Sequence, residues 1–458
     1  MSEPEQHHVT IVGAGLCGPL LALLLARRGW SVTLLERRED PRSHEAAGGR
    51  SINLALAARG LAALDAAGLA EDVRKLLIPM RGRLIHERDG GTDFLSYGQR
   101  PEEVIYSVSR AGLNRLLVEA AAATGRVECR FDCDVEHFDP DSGRLVWRDA
   151  DGKSVERIAS PVIAADGAGS IFRRTLAEHG LIEAREDVLV HAYKELNIAP
   201  DARGHHRIER EALHIWPRGG FMLIALPNLD GSFTVTLFLP REGEPGFSGL
   251  QDPAAVESFF AREFADTVPL LDDLADTFES NPTGMLGTVY AEPWHHTDKV
   301  LLVGDAAHAI VPFHGQGMNA AFEDTRLLAG RLAPGADVAA VFAEFSRTRK
   351  PDADAIAHMA LENYIEMRDT VRDPGFALRK ELGFELERRC PDRFVPRYSM
   401  VMFHHLPYAE VKRRGETQAA LLQEFTRGHD SLDTVDVATA EQAVRECLTP
   451  FDPDALPH

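Results

Sequence analysis

Apolar residues run almost unbroken from Val9 to Val12, give way to three closely spaced glycines, and resume on a helical period through Pro19–Gly29. An unbroken apolar run of this length suits a strand buried on both faces, the kind found in parallel sheets. Trp30–Leu35 repeats the strand pattern. A polar, glycine-rich loop, Glu45–Arg50, precedes an amphipathic helix over Leu56–Ala66. Alternating strands and helices up to about residue 75 predict an α/β unit. Met80–His86 and Asp93–Gly98 flank Asp89-Gly90-Gly91, a hairpin signal. Ser109-Arg110 opens a helix through Ala123, and strands around Val127–Phe131 and Arg144–Trp147 lead to a further apolar strand at Val162. Between 185 and 290, strands at Ala212–Trp216, Phe221–Leu226 and Phe233–Leu239 are separated by glycine turns and predict a second sheet. From Asn319 onward the pattern is helical, with breaks at Pro334, Pro374 and Pro391.

Charge and composition narrow the function classes. The formal net charge of −21 argues against nucleic acid, which needs a cationic face. Five cysteines without a C-x-x-C pair give neither a disulfide framework nor a zinc site, and read as reduced thiols of a cytoplasmic protein. The run Leu20–Ala26 is far shorter than the ~20 apolar residues of a membrane span. The tail from Gly428 to His458 reads as a short helix and a loose end. His205-His206 and His295-His296 are adjacent pairs without a metal-ligand spacing, and read as surface residues; no metal is expected.

Within the first α/β unit, Gly13-Ala14-Gly15-Leu16-Cys17-Gly18 is a G-x-G-x-x-G turn between strand and helix. Gly13 permits the tight turn, Gly15 lets a pyrophosphate approach the backbone, and Gly18 allows close helix–strand packing. Glu36 ends the second strand, about twenty residues on, where a carboxylate accepts a ribose hydroxyl pair and repels a 2′-phosphate. The bound nucleotide is therefore expected to be FAD or NAD rather than NADP. Two later segments follow the same design of apolar strand and Asp/Gly turn. One is Val162-Ile163-Ala164-Ala165-Asp166-Gly167, followed by Arg173 and Arg174. The other is Val300-Leu301-Leu302-Val303-Gly304-Asp305, followed by Gly315-Gln316-Gly317-Met318-Asn319.

The three motifs, in this order, resemble those of the flavin-dependent aromatic hydroxylases. Arg81-Gly82-Arg83, Tyr97-Gly98, Leu213–Arg218, Ala225–Asn228, Phe233–Phe238, Pro312–Asn319, Leu361–Tyr364 and Pro396–Met400 are similar to the kynurenine-hydroxylating members of that family over roughly residues 8–410. The resemblance implies an α/β fold: a Rossmann-like FAD-binding domain with an inserted β-sheet substrate domain and a C-terminal helical region. Boundaries are expected at 1–180 for the first part of the FAD domain, including the hairpin that contributes to the substrate site, and 181–290 for the substrate sheet. The FAD domain and its helices return over 291–385, and the C-terminal helices occupy 386–458. Family members from eukaryotes carry a C-terminal membrane anchor, and the lack of one here implies a soluble, bacterial-type form.

For the cofactor, the resemblance implies Gly13, Gly15 and Gly18 at the pyrophosphate, Glu36 on the ribose with Arg37 beside it, Arg110 at the phosphate or ribityl chain, and Asp305 on the ribityl hydroxyls. Backbone at Met318 and Asn319 approaches the isoalloxazine at a helix start, and Ala55 and Val135 are further contacts. For the substrate it implies Arg83, Tyr97 and Tyr398 on the carboxylate and Asn363 on the amino-acid part. Glu366, on the same helical face as Asn363 and Met367, is expected to meet the ammonium. If the hairpin turns about Gly90, Arg83 and Tyr97 stand opposite each other. Met222, Phe238, Phe313 and Met367 are expected to exclude water. His308 reads as a satisfied residue at a helix start, and His314 as a possible polar contact to the flavin.

The expected reaction is hydroxylation of L-kynurenine to 3-hydroxykynurenine by a C4a-hydroperoxyflavin, with NADPH and dioxygen as co-substrates. NADPH docks transiently, since only one nucleotide fingerprint is present. The aromatic amine already activates the ring, so no strong protein base is required and no residue is singled out as catalytic. Two alternatives stand beside this one: a hydroxylase of another aromatic carboxylate, and a flavin-binding redox or interaction protein. No W-x-W-x-I-P segment is present to suggest a halogenase. The region from Glu410 onward, which matches the family least, is expected to cover the substrate cavity.

Overall fold

The near-continuous apolar strands of the N-terminal pattern do lie in a parallel sheet. In the computed structural model, which describes residues 7–43, 53–159, 161–368 and 374–451, six strands run in the order His295–His296, Val300–Leu302, Val162–Ala164, His8–Val12, Ser31–Leu35, Val127–Arg130. All neighbours are parallel except the first pair. The loop expected at Glu45–Arg50 and the chain end beyond Phe451 lie outside the described residues.

The chain divides into two units. The first holds residues 1–77, 108–188 and 287–354, and the second 78–107, 189–286 and 355–458. This differs from the expected boundaries at two places. The hairpin 78–107 groups with the second sheet, and so does everything from 355 onward. The helix Val338–Arg368 is 31 residues long and carries the second change within one uninterrupted period, which is why the pattern gave no sign of it.

In the first unit, the helix Cys17–Arg27 is buried along nearly its whole length, as its all-apolar sequence requires. Leu56 ends a short strand, Asn53–Leu56, and the helix expected from there begins at Ala58. The helix Arg110–Ala123 starts where expected, with Ser109 Oγ accepting from the Gly112 amide at 3.2 Å. A three-stranded antiparallel sheet, Asp134–Asp139, Arg144–Arg148 and Ser154–Ile158, surrounds the one strand anticipated there.

The second unit is built on the larger sheet. From Glu183–Ile198 its strands run through Phe233–Pro240, Met222–Pro227, Ala212–Pro217 and Gly82–His86 to Thr92–Ser96 at the edge. Strand alternation gives it two distinct faces. One carries Ala192, Leu196, Trp216, Leu223, Ala225, Val235 and Leu237, which pack on Phe259, Phe260 and Phe264 in and after the helix Pro253–Glu263. The pairs Arg83↔Leu213, Ile215↔Ile224 and Met222↔Phe238 set Arg83, Met222 and Phe238 together on the opposite face.

The hairpin closes on Gly90, whose φ of +88° is open to glycine, but its register is Arg83↔Leu95 and Gly82↔Ser96. Tyr97 therefore lies two residues beyond the position opposite Arg83. The expectation of direct pairing was off by two, and because the strand period is two, both side chains keep the same face.

The C-terminal helices have a core of their own, in which Leu421, Ala440, Val444 and Leu448 pack with Leu378, Leu382, Leu386 and Phe394. Of the histidine pairs, only His205 is exposed as expected. His295 and His296 are half-buried in a strand, and His206 is half-buried with Nε2 2.8 Å from the Asn228 carbonyl. Among the described residues no group of His, Cys, Asp and Glu could hold a metal, all five cysteines are free, and no helix is long and apolar enough to cross a membrane.

Candidate active site

The three Gly/Asp motifs of the first unit meet at one edge of the parallel sheet. Strand Val162–Ala164 lies between His8–Val12 and Val300–Leu302, so all three turns emerge at the carboxyl ends of adjacent strands, where open α/β sheets bind ligands. The glycines behave differently from one another. A Cβ at Gly13 would lie 2.3 Å from the Ala165 carbonyl oxygen, and one at Gly18 only 1.9 Å from that of Gly13. A Cβ at Gly15 would meet nothing within 4 Å. The first turn of helix Cys17–Arg27 has no side-chain cap, leaving its amides for an anion. These features fit a dinucleotide pyrophosphate.

Glu36 is buried at the end of strand Ser31–Leu35, and its carboxylate accepts from the Ala14 amide at 2.7 Å and from Arg38 Nε at 2.9 Å. Burial works against its charge, but Arg38 and the backbone amides of Arg38 and Ala14 more than offset that, holding the carboxyl below its ordinary value. Arg38 is the arginine that pairs with Glu36, and both Arg37 and Arg38 are exposed. The Cys133 amide donates to the Glu36 carbonyl, and Val135 follows two residues later, half-buried opposite Trp147.

Arg110 is exposed at the first position of its helix. One turn on, Asn114 donates to the carbonyls of Ala14 and Gly15 at 2.8 and 2.9 Å, fixing the glycine turn. The sequence offered no motif for it beyond its place four residues after Arg110. Asp305 is exposed at the start of the short helix Asp305–His308, after Gly304 with φ of +60°. Arg173, which follows the Asp166 segment, is buried and donates to the Ala306 carbonyl at 2.9 Å, tying the second motif to the third.

Met318 and Asn319 stand in the first turn of helix Gly317–Arg331, which has no side-chain cap. Asn319 is buried, and its amide accepts from Ala57 N at 2.9 Å and donates to the carbonyls of Ala55 and Gly315 at 2.9 and 2.8 Å. One side chain thereby ties the Ala55–Ala57 backbone to that of Gly315 in the predicted flavin site. His308 is buried at the end, not the start, of its helix, 2.5 Å from Asp324. Arg349 completes the network with Asp324, Glu323 and Asp352 at 2.8–3.0 Å, and Arg59 joins Glu323 at 2.7 Å. His314 and Phe313 are buried in the turn Pro312–His314.

The second unit gathers the predicted substrate residues other than Phe313. Arg83 is buried, yet its ion pair with Glu366 is 3.3 Å long and its contact with Asn363 Oδ1 3.4 Å. Its Nε has no partner among the described residues. The ring of Tyr398 lies 4.8 Å and that of Tyr97 5.9 Å from the guanidinium carbon, and the two rings stack at 5.3 Å. Asn363 donates to Met367 Sδ at 3.3 Å, as their shared helical face requires. Met222, Phe238 and Met367 are all buried in this unit.

Burial works against the charge on Arg83, but Tyr398, Glu366 and Tyr97 more than offset it and raise its basicity. Burial raises both phenols, against the pull of Arg83, so they remain neutral O–H donors. The Tyr97 hydroxyl is buried without a satisfactory hydrogen bond among the described residues. A cation with an unsatisfied Nε, two neutral phenols and an amide within one cluster suit a carboxylate.

Comparison with known proteins settles the family. The FAD binding domain family matches residues 6–358. The kynurenine 3-monooxygenase of Stenotrophomonas maltophilia (strain K279a) is 49% identical over 441 residues, covering 96% of this chain and 97% of its own. The chain belongs to the kynurenine 3-monooxygenase family. The Myxococcus xanthus (strain DK1622) kynurenine 3-monooxygenase is 46% identical over 98% of this chain and 97% of its own. As a member of the kynurenine 3-monooxygenase family, the chain is a flavoprotein enzyme with FAD as its cofactor.

The fold is shared more widely than the family. The tetrameric form of 2-methyl-3-hydroxypyridine-5-carboxylic acid oxygenase matches with a TM-score of 0.65 at 20% identity, over 81% of this chain and 95% of its own. Pseudomonas aeruginosa PqsL in complex with 2-aminobenzoylacetate matches with a TM-score of 0.64 at 21% identity, over 80% of this chain and 97% of its own.

Proposed function

We propose that this enzyme hydroxylates L-kynurenine at the ring carbon beside the aromatic amine, consuming NADPH and dioxygen and releasing 3-hydroxykynurenine. The observation that carries the reading is Arg83, a buried cation whose bonding capacity is left partly unused beside two neutral phenols. The named activity of the similar proteins supports it. Gly13, Gly15, Gly18, Glu36, Arg110, Asp305 and the turn at Met318-Asn319 would hold FAD, with Ala55 and Val135 as outer contacts. Arg37, exposed and next to Glu36 in the chain, is assigned to the same nucleotide. Bound FAD, reduced by NADPH, supplies the activated oxygen.

The chain's own part is to bind, orient and exclude water. Arg83 takes the substrate carboxylate, with hydroxyl donation from Tyr97 and Tyr398. Asn363 and Glu366 receive the ammonium, which restores to Glu366 the positive partner it loses when the carboxylate takes Arg83. Met222, Phe238 and Met367 give the aromatic ring an apolar wall, and Phe313 is assigned to the exclusion of water. No side chain of the Arg83 cluster is required as a base, because the ring amine supplies electron density itself. We place the enzyme in the cytoplasm, where NADPH and free thiols are maintained.

The test is NADPH oxidation by the FAD-loaded protein with and without L-kynurenine, with mass spectrometry of the product. Strong stimulation and a product one oxygen heavier are expected. Stimulation yielding only hydrogen peroxide would mean that another aromatic carboxylate is the substrate, and no response would remove the proposed activity.

A further inference from the structure

Tyr97, itself buried, is delivered by an exposed stretch of chain. It follows Thr92–Ser96, the edge strand of the larger sheet, whose residues are mostly exposed. Its own amide donates to the Arg81 carbonyl at 3.1 Å, the last bond of the hairpin ladder. A strand end held on one side alone frays at low cost.

One face of helix Pro374–Arg389 meets the chain on either side of Tyr97. Lys380, Phe384 and Glu387 recur at i, i+4 and i+7 and so share that face. Lys380 Nζ donates to the Ser96 carbonyl at 3.0 Å. Gln99 Nε2 donates to the Phe384 carbonyl at 3.1 Å and to Glu387 Oε2 at 2.7 Å, and Arg100 reaches Glu387 at 3.4 Å. Glu103 stiffens the turn by accepting from the amides of Gln99 and Arg100 at 2.7 and 2.9 Å. The turn is closely packed, for a Cβ at Gly98 would lie 2.2 Å from Glu103 Oε2.

We propose that the Gln99–Glu387 contact is a positioning latch, through which helix Pro374–Arg389 sets the Tyr97 hydroxyl and thereby the enzyme's affinity for its substrate's carboxylate. This rests on the reading of the Arg83 cluster as the carboxylate grip. Only Gly98 separates Tyr97 from Gln99, so release of Gln99 transmits directly to the phenol. Glu387 is buried, and burial raises its carboxyl, so that a donor at that point is needed. Gln99 itself is exposed, and its replacement removes the contact without opening the core.

The test measures KM and kcat for L-kynurenine, peroxide yield and FAD affinity in holoenzyme carrying Gln99→Ala, Glu387→Ala or Glu387→Gln, each also combined with Tyr97→Phe. Gln99→Ala and Glu387→Ala are expected to raise KM roughly tenfold, the scale of a lost hydrogen bond to a charged group, with more peroxide and unchanged FAD affinity. Glu387→Gln keeps an acceptor for Gln99 and should recover most of the affinity. In the Tyr97→Phe background the Gln99→Ala effect should largely vanish, because both act through one hydroxyl. Fully additive effects, or an unchanged KM in Gln99→Ala, would overturn the latch. If Tyr97→Phe alone leaves KM untouched, the carboxylate-grip reading fails instead. Gln99→Ala decides the matter even if Glu387→Ala does not fold.

Discussion

Arg83 gives up its hydration for long contacts to Glu366 at 3.3 Å and Asn363 at 3.4 Å beside the Tyr398 phenol, an arrangement that gains its full worth when an anion arrives. Arg83→Ala should weaken L-kynurenine binding by about 3–5 kcal/mol, the cost of stranding one partner of a buried charge pair, and leave FAD content unchanged. Calorimetric titration of the FAD-loaded variant would show it, and an unaltered affinity would put the carboxylate elsewhere. At this scale the sequence was informative where a residue type carries its own chemistry. Arg83, Tyr97, Asn363, Glu366 and Tyr398 came from the resemblance and are found within one cluster. Asn114 and Gln99 escaped notice because an amide that bonds to backbone leaves no pattern of spacing.

Glycine turns show how one motif hides three separate demands. Gly18→Ala would drive a Cβ to within 1.9 Å of the Gly13 carbonyl oxygen, so the helix and strand must part and the first unit should lose thermal stability with or without FAD. Gly15→Ala meets nothing within 4 Å and should leave the apoprotein's melting temperature nearly unchanged while sharply lowering FAD affinity. Thermal melts of both apoproteins, set against fluorescence titration with FAD, would separate the two effects, and a destabilised Gly15→Ala apoprotein would contradict this division. Elements with strict period, such as helix Arg110–Ala123 and the strands Ala212–Pro217 and Phe233–Pro240, were legible within a residue or two. The hairpin register was not, because a five-residue connection and a symmetric turn about Gly90 fit the same alternation. Nor was the separate core of the C-terminal helices, since Leu421 and Val444 have the apolar spacing of any half-buried helix.

Across the whole molecule, acid tolerance is set partly by a histidine outside the proposed site. His214 is fully buried, its Nδ1 is 2.8 Å from His86 Nε2, and its Nε2 is 2.7 Å from the Glu209 carbonyl. Burial lowers its pKa from 6.5 to about 4. The unfolded chain therefore takes up a proton between those values that the folded chain refuses, and stability falls as the pH drops from 6.5 toward 4. The fall of about 2.5, at ~1.4 kcal/mol for each, corresponds to roughly 3 kcal/mol. His214→Gln can keep both hydrogen bonds without titrating, and its melting temperature should decline less steeply over that range; parallel slopes would show that other groups govern the loss.

The chain leaves one unit for the other after residues 77, 107, 188, 286 and 354. During synthesis, then, neither unit can be completed as an early, self-contained piece. Strand Val162–Ala164 pairs with His8–Val12 on one side, but its other neighbour, Val300–Leu302, leaves the ribosome more than a hundred residues later. At ~5–20 residues per second that is a wait of roughly 7–28 s with an apolar strand edge open to other nascent chains. Heterologous expression should accordingly be limited by chaperone supply during translation more than by the stability of the finished enzyme, and no contiguous fragment should substitute for the intact polypeptide.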